Sequence, residues 1–101
     1  MNEYDQRQIN LARRFIETYR KGELGLNALR QNLEALTGAS TEKSPLKATI
    51  EITNTLDEIY AFASHENRQL DDEDRRQIEE LLRNLESTIL DENEPAITDN
   101  D

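Results

Sequence analysis

The chain contains no cysteine, no tryptophan and a single histidine, His65. The absence of cysteine excludes disulfides, thiolate nucleophiles and zinc knuckles, and one histidine cannot form a multi-histidine metal site or proton relay. No apolar run approaches the roughly 20 residues that span a bilayer. The initial residues MNEYDQRQ lack the basic and then apolar segments of a signal peptide. We therefore expect a cytoplasmic protein with no membrane partner.

Valine is also absent, and the 101 residues include only three glycines and two prolines. Leucine, isoleucine and alanine supply most of the apolar side chains. Strands would need more β-branched and aromatic residues, with turns at closer spacing. The composition thus predicts an all-α fold in one domain, residues 1–90.

Apolar residues at three- and four-residue steps predict two helices in the first half of the chain. The first spans residues 4–21 and stops at Gly22, which supplies the left-handed geometry that follows many helices. The second follows Gly25 as its cap and ends at Gly38. Their stripes consist of Ile9, Ala12, Ile16 and Tyr19, and of Leu26, Leu29, Leu33 and Leu36.

Two further helices are predicted after the loop of residues 38–44. Ser44 caps the third, with Pro45 in its first turn, and Asp71 caps the fourth, with Asp74 at its third position. The β-branched stretch 48–55 is equally compatible with an alternating strand, but a lone strand would have no partner. We therefore favour a helix. The apolar residues are Leu46, Ile50 or Ile52, Leu56, Ile59, Tyr60 and Ala63 in the third helix, and Ile78, Leu81, Leu82, Leu85 and Ile89 in the fourth.

Short links after the first and third helices predict two helical hairpins that pack as an antiparallel four-helix bundle. Residues 91–101 contain five acids, no base and a proline, so we predict a disordered acidic tail. Because so small a core leaves a monomer only marginally stable, a homodimer is also expected.

Carboxylates are the main candidates for chemistry. The acids of residues 71–74 could bind a cation, but calcium loops alternate their ligands, and a helix start already accounts for four consecutive acids. The pairs Asp57–Glu58 and Glu79–Glu80 point about 100° apart on a helix, so neither converges on one proton. The Glu-x-x-His motif of di-metal bundles is absent. We therefore predict a protein that is not an enzyme and that has neither a metal nor a cofactor.

The formal charge of −10 disfavours nucleic acid and anionic lipid and favours a basic partner. Residues 1–21 carry a charge of +2, which we interpret as a solvated helix face that pairs with the acidic helices. The predicted third and fourth helices carry most of the remaining acids. The predicted partner-binding residues are Asp57, Glu58, Asp71, Asp72, Glu73, Asp74, Glu79 and Glu80.

The segments FIETYRKGELGLNALRQNLEAL, LDEIYAFA and LDDED resemble short acidic helical immunity proteins of bacterial toxin systems. The resemblance extends over most of residues 11–90 and implies a cognate toxin as the basic partner. No site residues transfer from it. The sequence therefore leaves two functions open: an inhibitor of a basic protein, or a structural or regulatory helical homodimer.

Overall fold

The computed structural model describes the backbone of residues 3–93 and the side chains of residues 3–89. It contains four α-helices and no strand within that range, so the predicted all-α fold is confirmed. The helices are α1 (Glu3–Arg20), α2 (Leu26–Ala39), α3 (Ile50–His65) and α4 (Asp72–Asn93), and a 3₁₀ helix (Pro45–Thr49) precedes α3.

Each helix packs against its neighbours in the chain, and α4 also packs against α1. The hydroxyl of Tyr4 donates a hydrogen bond to the carbonyl of Ala39 at 2.9 Å, which places the start of α1 beside the end of α2. These two helices are therefore antiparallel. In this ring of contacts α1 and α3 lie diagonally across the bundle. The outer faces of α1 and α3 therefore lie on opposite sides of the molecule.

The predicted stripes form one hydrophobic core. Ile52 packs against this core and Ile50 is 44% exposed, which decides the alternative that the sequence left open. The partly buried Leu81, Tyr19 and Tyr60 surround the buried cluster. That cluster consists of Ile9, Ala12, Ile16, Leu26, Leu29, Leu33, Leu36, Leu46, Leu56, Ile78, Leu82, Leu85 and Ile89.

The predicted helix ends are largely confirmed. Gly22 has a φ of 80°, in the left-handed region that glycine favours, and Gly25 is the cap of α2. Ser44 Oγ accepts the amide hydrogen of Leu46 at 3.2 Å. At the start of α4, Asp74 N–H donates to Asp71 Oδ1 at 2.8 Å and Asp71 N–H donates to Asp74 Oδ2 at 3.2 Å. This reciprocal pair is a capping box built from two aspartates.

Two helix ends differ from the prediction. α2 passes through Gly38 and ends at Ala39, because Ser40 supplies the capping amide, which donates to the carbonyl of Thr37. α4 extends to Asn93, so the boundary of the predicted tail at residue 90 was wrong by three residues. The sequence contains no helix-breaking residue between the start of α4 and Pro95. Residues 94–101 of the predicted tail lie outside the described residues.

The β-branched stretch is helical, but its first part is a 3₁₀ helix. Thr49 Oγ1 donates to the carbonyl of Leu46 at 2.7 Å, and Thr53 Oγ1 donates to the carbonyl of Ile50 at 2.8 Å. Threonine hydroxyls that bond back to carbonyls in this way compete with regular helical bonding. The 3₁₀ helix precedes α3, and both threonines are buried.

Candidate partner-binding surface

Most of the predicted partner-binding acids form ion pairs with arginines of the same chain. Two of these pairs join different helices: Arg30 Nε lies 3.2 Å from Asp57 Oδ1, and Arg20 Nη2 lies 2.7 Å from Glu79 Oε2. The other four acids lie at the start of α4. Their pairs are Asp71 and Asp74 with Arg68, Asp72 with Arg75, and Glu73 with Arg76.

Arg20 forms the most hydrogen bonds to carboxylates of these arginines. Its guanidinium donates to both oxygens of Glu79, at 3.2 and 2.7 Å, and to both oxygens of Glu86, at 2.8 and 3.0 Å. The hydrogen bonds with Glu86 and then Glu79 raise the pKa of Arg20 above its ordinary value. The prediction that basic residues of the first helix pair with acidic helices is thus confirmed for Arg20, which ties α1 to α4.

The acids at the start of α4 stabilise that helix end. Arg68 Nη1 donates to Asp74 Oδ2 at 2.7 Å, and its Nε donates to Glu66 Oε1 at 2.7 Å. The hydrogen bond from Arg68 and the backbone amide of Asp71 hold the pKa of Asp74 below its usual value. Capping and ion pairing together account for Asp71 and Asp74. Within the side chains that the structure describes, no group of three or more His, Cys, Asp or Glu could hold a metal ion.

Unpaired acids remain on α3. Glu51 and Glu58 are exposed and form no ion pair with any described residue, and α3 contains no lysine or arginine. Thr55 and Phe62 continue the same stripe, since positions 51, 55, 58 and 62 recur at steps of three and four residues. The Phe62 side chain is 60% exposed, and the Arg68 guanidinium lies over its ring at 5.7 Å from the centroid. We define the α3 outer face as Glu51, Thr55, Glu58 and Phe62.

Of the predicted partner-binding acids, only Glu58 belongs to the α3 outer face. Glu80 is exposed on α4 and also lacks an ion pair among the described residues. The sequence analysis did not select Phe62. Its position could have shown that it lies outside the core, because it does not fall on the stripe of Leu56, Tyr60 and Ala63.

Three arginines on the exposed surface of α1 have no ion pair with a described residue. Arg7, Arg13 and Arg14 are exposed and have no ion pair within residues 3–89, so the predicted pairing with acidic helices does not occur at these three positions. Arg7 and Arg14 are seven residues apart and therefore lie on the same side of the helix. We define the α1 arginine face as Arg7 and Arg14.

Two shallow grooves open at the end of the bundle where the turns 21–25 and 66–71 lie, with volumes of about 570 and 440 Å³. Leu26 and Leu70 line both grooves, so the two grooves are adjacent. Arg68 in the larger groove, and Arg20 and Arg75 in the smaller, already pair with carboxylates. Neither groove therefore offers a free charged group of the kind that would orient a small ligand.

Searches of protein-family models, curated proteins and solved structures found no match to this chain. None of the helices in the described part of the chain has the length and apolar character needed to cross a membrane.

Proposed function

We propose that this chain is a non-catalytic binding protein that captures a basic protein partner with its α3 outer face. The observation that supports the proposal is the combination of two unpaired acids, Glu51 and Glu58, with an aromatic ring that is 60% exposed. Exposed aromatic side chains are common anchors at the centre of protein interfaces. Acids beside such an anchor attract basic partners and reject acidic ones.

Each component of this face has a distinct role in binding. Glu51 and Glu58 accelerate the encounter with a cationic surface, an effect that weakens as salt screens the charges. Phe62 then packs against apolar side chains of the partner and loses its contact with water. The acids already paired with arginines add little, since their charges are neutralised locally. A productive partner therefore presents basic residues around an apolar centre.

A cognate bacterial toxin is one partner of this chemistry, and the sequence resemblance to immunity proteins is the reason to consider it first. An immunity protein would act by covering the toxin's basic active groove. The proposal therefore includes a toxin as the partner, an immunity protein as the role of this chain, and a cytoplasmic location.

Binding to a synthetic amphipathic peptide, with lysines on one helical face and leucines on the other, tests the proposal through fluorescence anisotropy. We expect the double substitution Glu51→Gln with Glu58→Gln, and separately Phe62→Ala, to weaken binding at least tenfold. The matched control is Asp72→Asn with Glu73→Gln, which changes the net charge equally at exposed positions that already have arginine partners. The control is expected to bind nearly as the wild type does.

Equal losses for both double substitutions would show that the peptide senses only the total charge of the protein, and the α3 outer face would then have no special role. Unchanged binding after Phe62→Ala would remove the aromatic anchor from the mechanism. Circular dichroism of each variant serves as the folding control, because all the substituted side chains are exposed.

A further inference from the structure

The bundle presents unpaired charges of opposite sign on two opposite faces. The α1 arginine face carries Arg7 and Arg14, whereas the α3 outer face carries Glu51 and Glu58. Because α1 and α3 lie diagonally across the bundle, these faces point away from each other and cannot neutralise one another within one molecule. They are free to meet on two different molecules.

The spacing of the charges allows such a meeting. Arg7 and Arg14 are seven residues apart on α1, and Glu51 and Glu58 are seven residues apart on α3, so each pair spans about 10.5 Å along its helix axis. Two ion pairs can therefore form at once when α1 of one molecule lies along α3 of another. Glu3 and Glu17 reduce the positive charge of the α1 surface, and Lys21 adds to it.

We propose that the α1 arginine face of a second copy of this chain docks on the α3 outer face. The two contacting surfaces differ, so the interface is heterologous. An oligomer of any length therefore keeps a free α1 arginine face at one end and a free α3 outer face at the other. Molecules would assemble head to tail into open oligomers. A symmetric dimer through α3 would instead bring Glu51 and Glu58 against their own copies, which like charges disfavour.

This inference uses the same α3 outer face as the proposed function, and to that extent it rests on it. A basic partner and a second copy would compete for Glu51, Glu58 and Phe62, so binding of the partner would dissociate the oligomers. One helix face on each side gives a small interface, and small interfaces belong to weak, transient complexes. The assembly should therefore require low salt and high protein concentration.

Sedimentation of the full chain, with protein concentration increased at low salt, tests the inference. The wild type should exceed its monomer mass of 11.7 kDa, and the excess should disappear at high salt. Two variants should each remain monomeric: Arg7→Gln with Arg14→Gln, and Glu51→Gln with Glu58→Gln. An equimolar mixture of these variants should form a dimer and nothing larger, because each retains the one face that the other lacks.

The matched control is Arg75→Gln with Arg76→Gln, which removes two exposed cations from α4 and should leave the assembly intact. A wild type that stays monomeric, a variant that still assembles, or a mixture that stays monomeric would each overturn the inference. Dimer formation in the mixture also proves that both variants are folded. The variant Arg7→Gln with Arg14→Gln keeps the α3 outer face, so its binding to the amphipathic peptide is measured separately. Failure of self-association therefore does not imply failure of the proposed function.

Discussion

Replacing Arg20 by glutamine removes the charged link between α1 and α4. Four hydrogen bonds, two to each of Glu79 and Glu86, are lost together with both ion pairs. Glu79 keeps a longer contact with Arg83 at 3.6 Å, while Glu86 has no other ion pair among the described side chains. The substitution therefore isolates one carboxylate and weakens the support of another.

The expected loss follows from the exposure of the three side chains. They are 32%, 37% and 26% exposed, so solvent screens the pairs substantially. Exposed pairs contribute up to about 1 kcal/mol each, and bidentate geometry places these pairs near the upper end. We expect Arg20→Gln to lower the free energy of unfolding by about 1–2 kcal/mol in total. For a domain of this size that corresponds to a decrease in Tm of roughly 5–15 °C.

Urea denaturation followed by circular dichroism measures this loss. Arg13→Gln is the matched control, because Arg13 lies two turns earlier on α1 and has no ion pair with a described residue. A double-mutant cycle with Glu86→Gln isolates the coupling between Arg20 and that carboxylate. The coupling should shrink at about 1 M salt, where the Debye length is about 3 Å. Equal effects of the two arginine substitutions, or a coupling near zero, would refute the assigned role of Arg20.

Four further substitutions test the core, two glycine positions and the start of α4. Leu82→Ala should lower the free energy of unfolding by about 2–5 kcal/mol in urea titrations, because the Leu82 side chain is fully buried. Gly22→Ala should destabilise the fold by about 1 kcal/mol, because Gly22 has a φ of 80°, whereas Gly38→Ala inside α2 should stabilise it by about 0.5 kcal/mol. Thermal melts in which both substitutions change the Tm in the same direction would contradict these backbone assignments. The hydrogen bond with Arg68 lowers the pKa of Asp74 in the folded state. Asp74 therefore stabilises the fold at pH values above its unfolded pKa of 3.8, and this stabilisation is lost as the pH falls through its folded-state pKa. Asp74→Asn should accordingly flatten the decrease in stability as the pH falls below 3.8, and an unchanged acid profile would exclude the ion pair as its cause.

The sequence was sufficient to predict the four helices, because leucine and isoleucine spacing reports which side of each helix is buried. It also identified the caps Ser44 and Asp71, since both act on backbone within a few residues. It did not reveal the 3₁₀ turn before α3. The spacing of apolar residues does not distinguish a short 3₁₀ helix from the first turn of an α-helix.

The candidate site was harder to predict, for a different reason. Charge counting locates acids along the chain but does not show which arginines reach them after folding. Arg20 is 59 residues away from Glu79, and Arg30 is 27 residues away from Asp57, so only the packed bundle brings them together. The same packing leaves Glu51 and Glu58 without an ion pair to any side chain that the structure describes. Their availability is a property of the tertiary structure.

The ring of helix contacts closes only when the last helix reaches the first. α4 supplies Ile78, Leu82, Leu85 and Ile89 to the buried cluster, so a shorter chain would leave an open apolar trough along the other three helices. During synthesis the bundle therefore cannot complete its core until α4 has left the ribosome. Until then the exposed trough is a surface that chaperones would be expected to cover.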